Sequence, residues 1–346
     1  MACLSRLSLT GFRCFETVRF DFDPGLNIIQ GANASGKTAL LEALWLLATG
    51  RSFRTTHLQQ LIRHGEEEAV VFAQVGVHRL GWARNGAHTR LHLDGESVRT
   101  QAALSAHLPL QLLTPESHRL LTDGPKRRRQ FLDWGGFYHY GDFMAVWRSY
   151  RQALKQRNAA LRQGLPTSLV RLWDGQLIDA GARLDTFRRD YVAALAGPLE
   201  QYVAELLPEL KDGLSIHYHS GWRQSLSLAE ALEAGWAQDQ LRQQSRIGPH
   251  RADVRFRIHG REVEQVLSRG QQKLFVSALL LAQAQLFARA RGEAVILLID
   301  DLPAELDGTR RSRLLALVKN LEIQSLVTTT DLALIPGVEA AHTLRL

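Results

Sequence analysis

The 346-residue chain reads as an α/β protein with a parallel sheet, an antiparallel β layer beside it and a long inserted helical region. Three observations predict this. Leu26 to Leu47 runs as a short apolar stretch, LNIIQ, then a loop, GANASGKT, then an apolar helical run, ALLEALWLL. Ala294 to Ile299, AVILLI, is continuously apolar and ends in two aspartates, as a strand covered on both faces would. From Gly124 to about Arg246, apolar residues recur at three- and four-residue steps, the period of helices with one buried face.

Taken in order, Leu4–Leu9 and Val18–Phe22 alternate apolar and polar residues, with Gly11 near the turn. They read as an antiparallel hairpin. Leu26–Gln30 reads as a buried strand, and Gly50 is placed to stop the helix that follows the loop. The loop from Gly31 to Thr38 fits G-x-x-x-x-G-K-[ST]. Each residue type has a reason to be there. Gly31 and Gly36 allow a tight turn in which successive N–H groups face one anion. The helix start near Lys37 adds its positive dipole end. Lys37 brings a cation to outer phosphates, and Thr38 a hydroxyl to Mg²⁺. Gly31, Ala32, Asn33, Ala34, Ser35, Gly36, Lys37 and Thr38 are therefore the candidate site for a nucleotide with Mg²⁺. Arg51 and Arg54, in GRSFRT, are placed to reach phosphate of nucleotide or of DNA, or to be solvated loop charges.

Ala69–Val77 is strand-like, and Arg90–Val98 holds Asp94-Gly95, a two-residue hairpin signal. Leu110–Thr114 is a short apolar strand closed by Pro115. The helical region follows. Tyr150, Leu154 and Leu161 share one face; Leu184, Phe187, Tyr191, Leu195, Leu199, Tyr202 and Leu206 share another. Gly164–Thr167 is the expected turn between two antiparallel helices, and Pro198 is expected to kink or restart the second. A shorter helix is expected around Leu226–Arg242. The polar faces carry Arg148, Arg151, Lys155, Arg157 and Arg162, then Arg171, Arg183, Arg188 and Arg189. Such charge is ordinary solvation or a DNA contact, for which Arg148, Arg151 and Lys155 are the candidates.

Ile247–Ile258 returns to strand after Gly248-Pro249. His250 reads as a turn or packing residue, and the role of Arg251 stays open. The domains expected are 1–118, a helical arm over 119–246, and 247–346. Within the last, LSRGQ precedes a helix. Ser268 and Gln271 form a capping box, while Gly270 lets an anion approach the open N–H groups, so Ser268, Arg269, Gly270 and Gln271 join the phosphate-binding candidates. Asp300 ends the strand AVILLI and is the natural partner of Mg²⁺ held by Thr38. Asp301 is placed to orient or deprotonate a water. The alternative is that both aspartates cap the next helix. Glu305, Leu306 and Asp307 follow, then a helix over Arg310–Asn320 and a last core strand over Gln324–Thr330.

Hydrophobic residues make up 45% and charged residues 22% of the chain, an ordinary globular balance. No apolar run is long enough to span a bilayer, and MACLSRLSLTGF lacks a signal-peptide core. With only Cys3 and Cys14, a reducing cytoplasm is expected. The net charge of +7 favours a polyanionic partner such as nucleic acid.

In this order GANASGKT, LSRGQ, ILLIDD and ELD resemble the Walker A, signature, Walker B and following loop of an ABC-type ATPase head, a P-loop NTPase. The stretches LSLTGFRCF, FDPGLNIIQGANASGKTALLEALWLL, GRSFR, GPKRRRQFLD, GPHRAD, SRGQQK and LLIDDLPAELD resemble the RecF family of bacterial recombination and gap-repair proteins. The similarity covers nearly the whole chain. It implies an ATP-dependent homodimer, DNA binding to single-stranded and gapped duplex, weak DNA-stimulated hydrolysis, and work with RecR and RecO. Departures from the transporter pattern are Arg269 for the first Gly of LSGGQ, Asp301 where many heads carry Glu, and Thr330 where a switch His is common. Pro115-Glu116 lies near where a Gln-loop would be, without a Gln. Arg269, Asp301 and Thr330 argue for slow, regulated hydrolysis, and the role of Glu116 stays open. An SMC-like structural ATPase is the alternative, against which stands the shortness of the helical region. A transporter subunit would carry a neutral insert, not an Arg-rich arm.

Overall fold

The structure is a computed structural model that describes residues 3–210, 212–302, 306–335 and 341–346. Glu305 lies outside the described residues. The strands are β1 (Leu4–Phe12), β2 (Phe15–Asp21), β3 (Leu26–Gln30), β4 (Glu68–Val75), β5 (His78–Asn85), β6 (His88–Leu93), β7 (Glu96–Val98), β8 (Leu110–Leu113), β9 (Leu214–His219), β10 (Asp253–Ile258), β11 (Arg261–Glu262), β12 (Ile296–Ile299), β13 (Gln324–Thr329) and β14 (His342–Arg345). The helices are α1 (Lys37–Thr49), α2 (Gln101–Ser105), α3 (Arg119–Thr122), α4 (Pro125–His139), α5 (Phe143–Arg162), α6 (Thr167–Arg171), α7 (Asp174–Leu206), α8 (Leu228–Ala234), α9 (Trp236–Arg242), α10 (Val263–Val266), α11 (Arg269–Arg291) and α12 (Gly308–Asn320). Two units form: Met1–Ser117 with Lys273–Leu346, and His118–Gln272.

The first unit joins an antiparallel sheet, β2-β1-β4-β5-β6-β7, to a parallel one, β14-β3-β13-β12-β8. β4 alternates half-buried and buried residues along its length, as a strand with one face on the core must. β12 and β13 are buried throughout, which is why they read as apolar on both faces. Asp94 and Gly95, both at positive φ, make the tight link that brings Leu93 opposite Glu96. Two buried amides tie the sheets together. Gln324 donates to the carbonyls of Leu4 and Asp23 and accepts from the Leu4 N–H. Asn27 closes the turn before β3 by bonding both the N–H and the carbonyl of Asp23. Such groups are tolerated inside because every bond is met. β5 is a strand that the sequence reading lacks: HRLGWARN carries Gly81 and two arginines, so its alternation is weak.

Most of α11 belongs to this unit. By length and composition it could cross a membrane, although 67% of its apolar window is buried inside the protein. The sequence reading expects no run long enough to span a bilayer; Gln272, Lys273, Ser277 and Gln283 interrupt the apolar sequence of this one. Gln272, Ser277 and Gln283 are themselves among the buried residues and Lys273 is half-buried, so α11 is a core helix.

The second unit packs α5 against α7, with Phe143, Tyr150, Leu177, Leu184 and Leu228 in its core. Its antiparallel sheet has the order β11-β10-β9. This unit extends to Gln272, past the expected limit at 246, because β10 pairs with β9. α7 runs unbroken through Pro198, contrary to a restart; only the bond to the Ala194 carbonyl is lost, and the buried flanks Leu195 and Leu199 continue the packed face. The helix expected over Leu226–Arg242 is two, α8 and α9, divided at Gly235. Arg157 and Arg188 are corrections to the polar-face reading: both are buried. Arg157 donates to Asp174 at 2.7 Å, Asp239 at 2.7 Å and Ser245 at 2.6 Å. Arg188 donates to Asp133 and to the Pro249 carbonyl. Burial is tolerable for such charges only because they are paired and hydrogen-bonded.

Candidate nucleotide site

β3 delivers the chain at Gln30 into the loop, and α1 leaves it at Lys37. Gly36 has φ 107°, and a Cβ there would lie 2.6 Å from Phe15 Cζ and 2.9 Å from Cys14 Sγ. The turn between β1 and β2 therefore rests on the loop, and only glycine fits. Gly31 is confined in another way: a Cβ would lie 2.3 Å from Ser35 Oγ. Ala34 is also at positive φ, 65°. The buried Lys37 ammonium donates to the carbonyls of Gly31 at 2.7 Å and Ala32 at 2.8 Å, so the loop curls around its own cation. Ala32, Asn33 and Ala34 are exposed along the loop. Ser35 Oγ is buried without a hydrogen-bond partner among the described residues, a cost that a further polar ligand would relieve.

The parallel register sets the opposite wall. β13 lies between β3 and β12, and the Asp300 N–H donates to the Leu113 carbonyl at 2.8 Å, which continues the β8 pairing past the end of β12. This fixes the Asp300 carboxylate, which accepts from Thr38 Oγ1 at 3.1 Å and from Thr328 Oγ1 at 2.9 Å. Burial pushes the Asp300 carboxyl above its usual range; the bonds from Thr328 and Thr38 oppose the rise, the Asp301 charge adds to it and the Arg54 charge opposes it. Asp301 takes positive φ, 52°, and its N–H donates to Thr328 Oγ1 at 2.7 Å. Thr328 thus grips both aspartates, a role the sequence reading did not assign. Thr330, just after β13, is exposed. The capping alternative for the two aspartates involves residues 303–305, outside those described.

Among the described residues no three His, Cys, Asp or Glu gather as a metal cage. Thr38 and Asp300 offer hard oxygen donors, the kind of set that holds Mg²⁺ together with substrate phosphates. These residues and the orphaned Ser35 hydroxyl fit a phosphate chain with its cation.

Glu42, one turn beyond Thr38 on α1, is a buried carboxylate that sequence reading missed. Arg13, Ser52 and Arg54 gather on it. Arg51 is exposed, with no ion pair among the described residues.

In the second unit, the Ser268 N–H donates to Gln271 Oε1 at 3.0 Å and the Gln271 N–H to Ser268 Oγ at 3.4 Å, both halves of the expected capping box. Ser268 and Arg269 are exposed; Gly270 and Gln271 are half-buried. Gln271 also donates to Glu209 at 3.1 Å. The loop residues and the two aspartates belong to the first unit, and LSRGQ to the second.

Arg148, Arg151 and Lys155 are exposed on α5, with no ion pair among the described residues. Arg162 continues the same stripe. By contrast Arg171, Arg183 and Arg189 pair with Glu233, Asp142 and Asp185. His250 accepts from Tyr150 at Nδ1 (2.6 Å) and donates from Nε2 to the Ser245 carbonyl (2.9 Å). It is a packing residue, and Arg251 is exposed. Glu116 is exposed in the turn after β8.

The family model described as RecF/RecN/SMC N terminal domain matches residues 3–344. The DNA replication and repair protein RecF of Hydrogenovibrio crunogenus is 48% identical over 344 residues, spanning 98% of this chain and 95% of the relative. That of Azotobacter vinelandii is 43% identical over 337 residues, spanning 95% and 91%. The solved structure of the recombination mediator protein RecF-ATP in the RecFOR pathway matches with a TM-score of 0.86 and 26% identity, over 95% of this chain and 92% of the other. A SmcHead bound to the C-winged helix domain of ScpA matches with a TM-score of 0.55 at 15% identity, over 96% and 91%, a likeness of fold alone. The ABC-type head fold and the near full-length identity agree, and the chain belongs to the RecF family.

Proposed function

We propose that this chain is an ATP-switched DNA-binding protein of recombinational and replication-gap repair. It dimerises on ATP, binds DNA near single-strand/double-strand junctions and promotes recombinase loading with RecO and RecR. The observation that carries the reading is the convergence of Thr38 and Thr328 on Asp300 beside the glycine loop. A similar solved protein is described as RecF-ATP, which supports ATP as the nucleotide.

In this reading Lys37 leaves the loop carbonyls for the outer phosphates, and the N–H groups from Ala32 to Thr38 surround them. Thr38 and Asp300 hold Mg²⁺, which supplies charge neutralisation at the phosphates when bound. Asp301 orients the attacking water and accepts its proton. Its side chain is one methylene shorter than Glu and reaches the water less closely, which suits slow hydrolysis and a switch. Ser268, Arg269, Gly270 and Gln271 complete the site from a second copy of the chain. The resulting two-fold interface contains two equivalent sites. The exposed stripe of Arg148, Arg151 and Lys155, without ion pairs among the described residues, meets DNA backbone, and Arg51 and Arg54 add phosphate contacts.

The test is sedimentation of the Asp301→Asn variant with ATP and Mg²⁺, followed by binding to a gapped duplex. A monomer-to-dimer shift and tighter DNA binding are expected with ATP and absent with ADP. A protein that stays monomeric at saturating ATP while the wild type hydrolyses it would overturn the shared site.

A further inference from the structure

Glu42 is fully buried, one turn below Thr38 on the same face of α1. Arg13 alone satisfies its charge: Nε and Nη2 donate to the two carboxylate oxygens at 2.9 and 2.7 Å. Such a fork-to-fork pair is the strongest ordinary ion contact. A second arginine is therefore not required to neutralise Glu42, yet Arg54 is there, with Nη1 3.6 Å from the carboxylate. That distance is too long for a hydrogen bond. The Arg54 side chain is 47% exposed. Ser52 links the two: its hydroxyl donates to Glu42 and accepts the N–H groups of Arg54 at 2.9 Å and Thr55 at 3.0 Å. The backbone that carries Arg54 is tied tightly to a buried anion, while its guanidinium is held loosely.

We propose that Glu42 is a positioning residue of the nucleotide site, fixing the Arg54 backbone through Ser52 and holding its guanidinium loosely until an outer phosphate takes it. The inference rests on the nucleotide reading above. A tightly held arginine would have to break a strong pair to reach a ligand. This one exchanges a weak contact for a charge-assisted hydrogen bond at little cost.

The test uses Glu42→Gln, which keeps size and an acceptor for Arg13. In the ligand-free protein, hydrogen exchange at the Arg54 and Thr55 amides should accelerate at least about tenfold, with most of α1 unchanged. For ATP turnover, KM should rise about tenfold, the scale of one charge-assisted hydrogen bond, with kcat changed less. In Arg54→Ala the same rise is expected, and Glu42→Gln added to it should bring no further loss. A merely structural Glu42 would give losses that multiply, and that result overturns the proposal, as does an unchanged KM. If Glu42→Gln does not fold, Ser52→Ala, a loop substitution, should raise KM several-fold; an unchanged value overturns the proposal. A wild type that binds no ATP would sink the nucleotide reading instead. The amide exchange then still decides, since protection unchanged in Glu42→Gln, or in Ser52→Ala if that is the variant in hand, contradicts the anchor.

Discussion

Thr38 Oγ1 lies 3.1 Å from both carboxylate oxygens of Asp300, across 262 positions of sequence. The parallel strands β3, β13 and β12 bring them together. With Thr328 on the same carboxylate, Asp300 is a buried charge held by two hydroxyls and no cation in direct contact among the described residues. This is an arrangement that a bound cation would stabilise.

The first prediction concerns that charge. Burial raises the Asp300 carboxyl above its ordinary value. The native protein therefore binds this proton more readily than the unfolded chain, and stability falls as pH rises through the interval above the ordinary carboxylate value. Asp300→Asn keeps an acceptor for Thr38 and Thr328 without the charge. It should melt higher than wild type at pH 7, with the gap closing toward pH 4, while losing Mg²⁺-dependent nucleotide binding. A lower melting temperature at neutral pH would count against this account.

Asp301 should behave differently. Asp301→Asn should still bind ATP but slow hydrolysis by roughly a hundredfold, the usual scale for a lost general base. Single-turnover and binding assays separate the two effects. Equal, mild losses in Asp300→Asn and Asp301→Asn would favour helix capping.

His250 carries a pH signature for the second unit. Burial, opposed by the Ser245 bond and reinforced by Arg251, Arg129 and Arg157, pushes its imidazole down from 6.5 to about 4. The unfolded chain binds this proton first. Its contribution is complete above pH 6.5, is lost as pH falls toward 4, and changes no further below. The loss should approach about 3 kcal/mol. His250→Gln should be less stable at pH 7 but flatter across this interval in urea titrations.

Arg157→Met leaves the buried Asp239 without its cation. A loss of about 3–5 kcal/mol is expected by chemical denaturation. Arg157→Met with Asp239→Leu should cost less than Arg157→Met alone, and a larger loss would contradict the pairing argument.

If the α5 stripe meets DNA, replacing Arg148, Arg151 and Lys155 with Ala should flatten the log–log salt dependence of gapped-duplex binding by roughly 2 to 3. An unchanged slope would place the DNA elsewhere.

How far the sequence carries depends on whether a feature is local. The glycine loop between strand and helix, the apolar run into Asp300 and the Asp94-Gly95 turn are local, and the structure forms each of them. Thr328 acts only through partners distant in sequence, so nothing nearby marks it, whereas Glu42, the lone charge inside the apolar run ALLEALWLL, did leave a signal. Arg157 and Arg188 did leave a signal. Tyr150, Leu154, Arg157 and Leu161 fall on one face at helical steps, as do Leu184, Arg188, Tyr191 and Leu195. An arginine in step with the apolar stripe is a candidate buried ion, whereas reading by charge alone put both on the surface. β9 was hidden in a helical region because LSIHYH is short and its pairing with β10 spans a long insert.

The most direct test of the nucleotide site is calorimetric titration with ATP and Mg²⁺. Wild type should bind one ATP per chain, with heat lost when Mg²⁺ is removed. Lys37→Met should keep its melting profile and lose binding at least about a hundredfold, since the outer phosphates lose their cation. ATP binding unchanged in Lys37→Met would contradict the account.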